Sequence, residues 1–231
     1  MSSAGVFVTG TDTDVGKTFA ACLLLELSRA RGIRWGVMKP VETGVDEDGP
    51  RDAQRLRSAA LCGDPLDEIC PQQFSMPAAP NVAAAAEQTS VHMETIDRAW
   101  SALKEKHSLL LVEGAGGLRV ALDDKSDMGD LALRLKLPLL LVIRAKLGTM
   151  NHTRLTLDNI RQRQIPLAGV IINHVDGPLS AADEANLASL RGELGSLVVG
   201  ELPFFEKGAP PGEALAAHLG LDAILAQIQR G

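Results

Sequence analysis

The residue types and spacing of Gly10-Thr11-Asp12-Thr13-Asp14-Val15-Gly16-Lys17-Thr18 point more directly to chemistry than any other stretch of this chain. They follow an apolar run, Val6-Phe7-Val8-Thr9, and open a segment from Phe19 to Ala30 that reads as a helix. A strand, a glycine-bounded loop ending in Gly-Lys-Thr, and a helix form the layout of a phosphate-binding P-loop. In that layout the backbone N–H groups and the positive end of the helix dipole face a polyphosphate. Lys17 then reaches the terminal phosphates and the Thr18 hydroxyl ligates Mg²⁺. The interval from Gly10 to Gly16 is one residue longer than the usual pattern, and Thr11 stands where its first glycine falls. With a strand before it and a helix after it, this departure indicates a stretched-loop subfamily rather than an idle turn.

Other polar loops follow apolar runs. Lys39, in Met38-Lys39-Pro40-Val41-Glu42-Thr43-Gly44, can point its ammonium into a crevice while Pro40 stiffens the exit. Glu113 ends an apolar strand and leads into Gly114-Ala115-Gly116-Gly117, small residues that let backbone approach a ligand closely. P-loop enzymes keep a Mg²⁺-binding acid at such a strand end. Asp52 begins a helix, where it serves equally as a simple first-turn acid. Lys146-Leu147-Gly148-Thr149-Met150-Asn151-His152 leads into another helix whose free N–H groups can receive a carboxylate, although ordinary capping explains these residues about as well. Asn173-His174 closes a further strand, and an Asn amide there can read adenine or simply make a turn. His152 and His174 have no carboxylate or histidine partners at metal-ligand spacing, which favours structural roles.

The elements that must position these loops recur regularly. Strand candidates are Gly5–Thr9, Trp35–Lys39, Ser108–Glu113, Leu139–Arg144, Ala168–Asn173 and Leu197–Gly200. Their continuous hydrophobicity fits strands buried on both faces of a parallel sheet. Helical segments are Lys17–Arg31, Arg51–Leu61, Thr95–Lys106, Met128–Leu135, Thr149–Gln164 and Ala181–Leu194, with a last helix over Asp222–Gln229. The alternation predicts an α/β fold: a doubly wound, mainly parallel sheet with helices on both faces and ligand loops at its carboxyl edge. Pro71–Ala86 reads as a long, partly irregular connection, and Pro203–Gly212 as a Pro/Gly-rich tail segment.

A chain of 231 residues suits a single domain, residues 1–231. A net charge of −6 without a basic run argues against nucleic acid as a partner. Aromatics make up only 3%, with no tyrosine, so a stacking platform for single strands is also unexpected. Cys22, Cys62 and Cys70 neither pair off nor show metal-ligand spacing, which fits a reducing, cytoplasmic setting. No export signal is expected at the N-terminus. The longest apolar run, Leu137 to Ile143, is too short to span a bilayer, so no membrane partner is expected. No Ser/His/Asp or Cys/His constellation and no G-x-G-x-x-G are present, which sets aside covalent nucleophilic catalysis and dinucleotide binding.

These loops, in this order, resemble the dethiobiotin synthetase family, ATP-dependent carboxylases of the P-loop NTPase superfamily. The matching stretches are Val8 to Thr18, Lys39 to Gly44, Val112 to Gly117 and Lys146 to His152, and the likeness runs from Val6 to about Glu213. The stretched Thr-Asp-Thr loop is itself a family trait. The resemblance implies 7,8-diaminononanoate, CO₂ supplied as bicarbonate, and ATP as substrates. It implies Mg²⁺ held by Thr18, Asp52 and Glu113, and Lys17 and Lys39 as catalytic cations beside the phosphates and the developing carbamate. ATP would lie against Asp14, Val15, Gly16, Lys17, Thr18 and Phe19, with Gly114, Ala115 and Gly116 nearby. Asn173, His174, Pro203, Phe204 and Phe205 would hold its adenine. Thr13 and Thr43 would hold the diamine, and Gly148, Thr149 and Asn151 would meet its carboxylate at a homodimer interface. A partition or positioning ATPase of the same superfamily is the competing expectation. Those proteins usually carry an extra lysine early in the loop, where this chain has Thr11-Asp12-Thr13.

Overall fold

The computed structural model describes residues 4–205 and 212–228. Six strands build the main sheet: β1 (Ala4–Gly10), β2 (Gly36–Met38), β5 (Leu109–Gly117), β6 (Leu139–Arg144), β7 (Leu167–Asn173) and β8 (Val198–Leu202). Their spatial order is β2-β5-β1-β6-β7-β8, and every neighbouring pair is parallel. Parallel neighbours require crossovers, and the helices that make them cover both faces. On one face, Phe7, Leu110, Val112, Leu141 and Ile172 pack under α5 (Met93–Lys106), α6 (Met128–Leu135), α7 (Thr149–Gln162) and α8 (Ala181–Leu194). On the other, Val6, Val8, Leu111, Val142 and Ile171 meet α1 (Lys17–Ala30), α2 (Arg51–Ala60) and α9 (Leu221–Ile228). Consecutive strand residues thus enter opposite cores, the physical reason their sequence is apolar without alternation.

The expected strands and helices are all present among the described residues, with ends moved by a residue or a few; the expected Gln229 end of the last helix lies outside the described residues. Local signals account for several boundaries. At α6, Asp127 and Asp130 form a reciprocal capping box: Asp130 N–H donates to the Asp127 carboxylate at 2.9 Å and Asp127 N–H to that of Asp130 at 3.0 Å. The Ser180 hydroxyl accepts from Asp183 N–H at 3.1 Å to start α8.

Two expectations need correction. The stretch Pro71–Ala86 is less irregular than expected. It holds β4 (Gln73–Phe74), which pairs in parallel with β3 (Glu42–Thr43), and α4 (Pro80–Ala86), started by proline in the first turn and continued by alanines. A further short helix, α3 (Leu66–Ile69), precedes it. Glu113 does not end its strand: β5 continues through Gly117, which pairs with Gly10 after a register shift. Bare backbone permits that approach, because a Cβ on Gly117 would lie 3.3 Å from the Gly10 and Thr11 carbonyl oxygens. Among the described residues, no helix is long and apolar enough to cross a membrane.

Candidate active site

The P-loop connects β1 to α1 at the carboxyl edge of the sheet. It closes through two left-handed residues, Asp14 at φ 55° and Gly16 at φ 86°. Gly16 is forced on two counts: its φ favours glycine, and a Cβ there would lie 2.0 Å from the Asn173 amide nitrogen. That amide, at the end of β7, donates to the Val15 carbonyl at 3.0 Å and braces the loop from a neighbouring strand. Arg144, at the end of β6 and paired with Asp176, donates to the Asp14 carbonyl at 3.5 Å. α1 begins at Gly16 with no side-chain cap and no acid in its first turn. Its first N–H groups and positive dipole end are therefore left for an anion. Lys17 is buried and donates to the Asp12 carbonyl at 3.1 Å. Burial and, next, the Lys39 ammonium push its pKa below the ordinary lysine value.

Lys39, just past β2, is the centre of a charged cluster. Its ammonium donates to Glu113 at 2.6 Å and Asp52 at 2.9 Å, with only 3% of the residue exposed. Burial alone would favour the neutral amine, but the two carboxylates outweigh it and hold Lys39 protonated well above the ordinary lysine range. The parallel register sets Glu113 beside Val8 of β1, and the Thr18 hydroxyl donates to the same Glu113 oxygen at 2.9 Å. Asp52, in the first turn of α2, is held below its ordinary value: the Lys39 ammonium and hydrogen bonds from Lys39 and Thr18 overcome the effect of burial.

The donor set fits a hard cation. Glu113 is fully buried, and its Oε2 has no hydrogen-bond partner among the described residues. Leaving a buried carboxylate oxygen unsatisfied is costly. Two carboxylates and a hydroxyl are the oxygen ligands Mg²⁺ prefers. No group of three or more His, Cys, Asp or Glu residues capable of holding a metal occurs among the described residues.

A cleft of about 470 Å³ opens over the cluster and is lined by Thr13, Gly16, Lys17, Thr18, Thr43 and Gly116, among others. Asp14, Phe19, Lys39, Asp52, Glu113 and Ala115 also border it. Gly114 lies against Phe7, where a Cβ would come within 2.8 Å of the ring. Sequence reasoning missed three lining residues, Glu42, Arg55 and Val175. Arg55 sits one turn after Asp52 on α2, an i, i+3 spacing that signalled a shared face. Glu42 reaches the site through tertiary packing, which no local pattern reveals.

Other expected residues lie elsewhere. Gly148, Thr149 and Asn151 do not line this cleft. Gly148, at φ 88°, starts α7, and the buried Thr149 hydroxyl has no partner among the described residues. Further along α7, His152, Leu155 and Thr156 line a second cleft of about 470 Å³ with Thr11, Asp12 and Arg119, on the other flank of the P-loop. Asn173 is buried beneath the P-loop, and His174 pairs with Glu201 at 2.6 Å, which Arg191 also holds. Phe205, two residues past Pro203, meets Phe19 edge-on at 6.5 Å, and Phe204 is exposed.

Known proteins bear on this arrangement at two levels. A family model described as an AAA domain (AAA_26) matches residues 4–211. A chain of the MinC:MinD cell division protein complex of Aquifex aeolicus has a similar fold, with TM-score 0.54, 12% identity, and coverage of 99% of this chain and 95% of that one. A putative plasmid partition protein of Borrelia burgdorferi B31, bound to AMPPNP, gives TM-score 0.51 at 10% identity, covering 100% and 99%. Fold and loop together define an α/β protein of the P-loop NTPase class.

The ATP-dependent dethiobiotin synthetase BioD of Anaeromyxobacter dehalogenans (strain 2CP-C) is 45% identical over 189 residues, covering 79% of this chain and 85% of that protein. The protein of the same name from Aromatoleum aromaticum is 39% identical over 215 residues, covering 91% and 95%. The chain belongs to the ATP-dependent dethiobiotin synthetase family.

Proposed function

We propose that this protein is a ligase that converts 7,8-diaminononanoate, CO₂ and ATP to dethiobiotin, ADP and phosphate in a Mg²⁺-dependent reaction. The observation that carries this reading is the buried Lys39, held between Glu113 and Asp52 beside the P-loop Thr18. A fixed cation at that point faces the place where a triphosphate on the loop would present its terminal group.

One substrate amine captures CO₂, forming a C–N bond and releasing a proton to give a carbamate. A carbamate oxygen attacks the γ-phosphorus as the bond to the ADP oxygen breaks, which leaves a carbamic–phosphoric anhydride. The second amine attacks the anhydride carbonyl, closes the ureido ring, and releases phosphate and a proton. None of these steps calls for a protein nucleophile. The chain's task is placement and charge stabilisation. Lys17 and Lys39 flank the transferred group, and loop N–H groups cradle the phosphates. Thr18, Asp52 and Glu113 would hold Mg²⁺, which when bound neutralises phosphate charge.

Thr13 and Thr43 hold the diamine in this reading. Asn173, His174 and Pro203 to Phe205 border the adenine, Asn173 through the loop it braces. Gly148, Thr149 and Asn151 receive the substrate carboxylate across a homodimer interface. Their absence from the P-loop cleft, and the exposed Leu147 and Leu155 nearby, support a second copy at this face. A cytoplasmic setting suits the three unbridged cysteines.

Phosphate release from ATP tests the reading. It should require both diamine and bicarbonate and should stop when either is omitted. Diamine-independent hydrolysis stimulated by DNA or lipid would replace this reading with a nucleotide-switched binding protein.

A further inference from the structure

Glu42 has no part in the chemistry described above, yet it is only 7% exposed and stands in the cleft wall. Both its oxygens are engaged by backbone: Asp52 N–H donates to Oε1 at 2.9 Å and Ala53 N–H to Oε2 at 3.0 Å. These are the second and third N–H groups of α2, the ones a helix cap normally satisfies. The cap position is Pro50, whose side chain offers no acceptor. Glu42 delivers the missing cap from a different strand.

Asp52 is therefore gripped twice by one short segment. Lys39 holds its carboxylate, and Glu42, three residues on, holds its backbone N–H. The segment is itself fixed from behind, since Lys39 N–H donates to the Ile69 carbonyl at 2.8 Å and Glu42 N–H to that of Gln72 at 3.0 Å. Thr43 follows directly and lines the cleft.

We propose that Glu42 is a positioning residue that sets Asp52 by capping α2 and thereby ties the Lys39–Thr43 segment to the metal-binding acid. The inference rests on the reading of Asp52 as a metal ligand. Removing a group that orients a metal ligand typically costs about 10- to 100-fold in metal affinity or activity.

Three variants test it. In the metal-free protein, Glu42→Ala should abolish hydrogen-exchange protection at the Asp52 and Ala53 amides while Leu56 to Ala60 stays protected. In turnover assays it should raise the half-saturating Mg²⁺ concentration about 10-fold, with kcat at saturating Mg²⁺ largely recovered. Glu42→Gln keeps the shape and one acceptor, so it should lose protection at one amide only and show a smaller Mg²⁺ shift. It also serves if the alanine variant does not fold. Asp52→Asn is the control on the underlying reading. If Asp52→Asn raises the Mg²⁺ requirement and the Glu42 variants do not, the positioning role is wrong. Unchanged protection at Asp52 and Ala53 overturns the cap itself. If Asp52→Asn has no effect on Mg²⁺, the metal assignment fails instead, and the coupling proposed here falls with it.

Discussion

Lys39 and Glu113 meet at 2.6 Å with almost no solvent contact, one just past β2 and the other within β5, the adjacent strand. A buried pair of this kind gains little net stability from its own attraction. Removing either partner, however, strands the other charge. The pair thus fixes a cation where a phosphoryl group would arrive, and the neighbouring carboxylate of Asp52 completes the clasp.

Lys39→Ala should therefore separate chemistry from binding. Turnover should fall about 10²–10³-fold, the usual loss for one group that stabilises transition-state charge. Affinity for a non-hydrolysable ATP analogue, read by titration calorimetry, should change far less. Comparable losses in both would remove Lys39 from the catalytic role.

Acid stability should carry the signature of Asp52. Its carboxyl sits below its ordinary value of 3.8, so between those two values the folded chain binds fewer protons than the unfolded one. Its stabilising contribution is complete above 3.8 and drains away as pH falls through the folded value. Urea midpoints taken from about pH 5 down to about pH 2 should fall less steeply for Asp52→Asn than for the natural chain. An unchanged slope would show that Asp52 is not held in its charged form.

Gly16→Ala should fail both sterically and conformationally. The left-handed backbone costs a side chain about 1–2 kcal/mol, and the new methyl would collide with the Asn173 amide. The melting temperature should drop and nucleotide binding should vanish. Adding Asn173→Ala should relieve the collision and recover part of the stability, while the backbone cost remains. No recovery in the double variant would mean that Asn173 is not the obstructing group.

Leu155 is 62% exposed on α7 and borders the second cleft. Leu155→Arg should shift sedimentation from dimer to monomer and raise KM for the diamine more than KM for ATP. A natural chain that sediments as a monomer at micromolar concentration would discard the shared-site reading.

Much of this was legible in the sequence because the signals were local. The P-loop and the apolar strand runs each announce themselves within a few residues. Lys39, Asp52 and Glu113 could be nominated one at a time by their strand or helix ends, but their convergence depends on the order β2-β5-β1. Glu42 shows the limit most clearly. Its partners, Asp52 and Ala53, lie ten and eleven residues on, beyond any helical or strand period. Only the folding of the Lys39–Thr43 segment against α2 creates the contact. The continuation of β5 past Glu113 escaped for a similar reason: Gly114 to Gly117 is a poor strand by propensity, and pairing with Gly10 overrides that tendency.

The amide that braces Val15 comes from Asn173, 158 residues downstream. During synthesis the nucleotide loop emerges from the ribosome early, but its clamp arrives only after most of the chain has been made. Until β7 docks, the growing polypeptide carries the motif without its Asn173 brace, so the loop gains its full set of supports only late in synthesis.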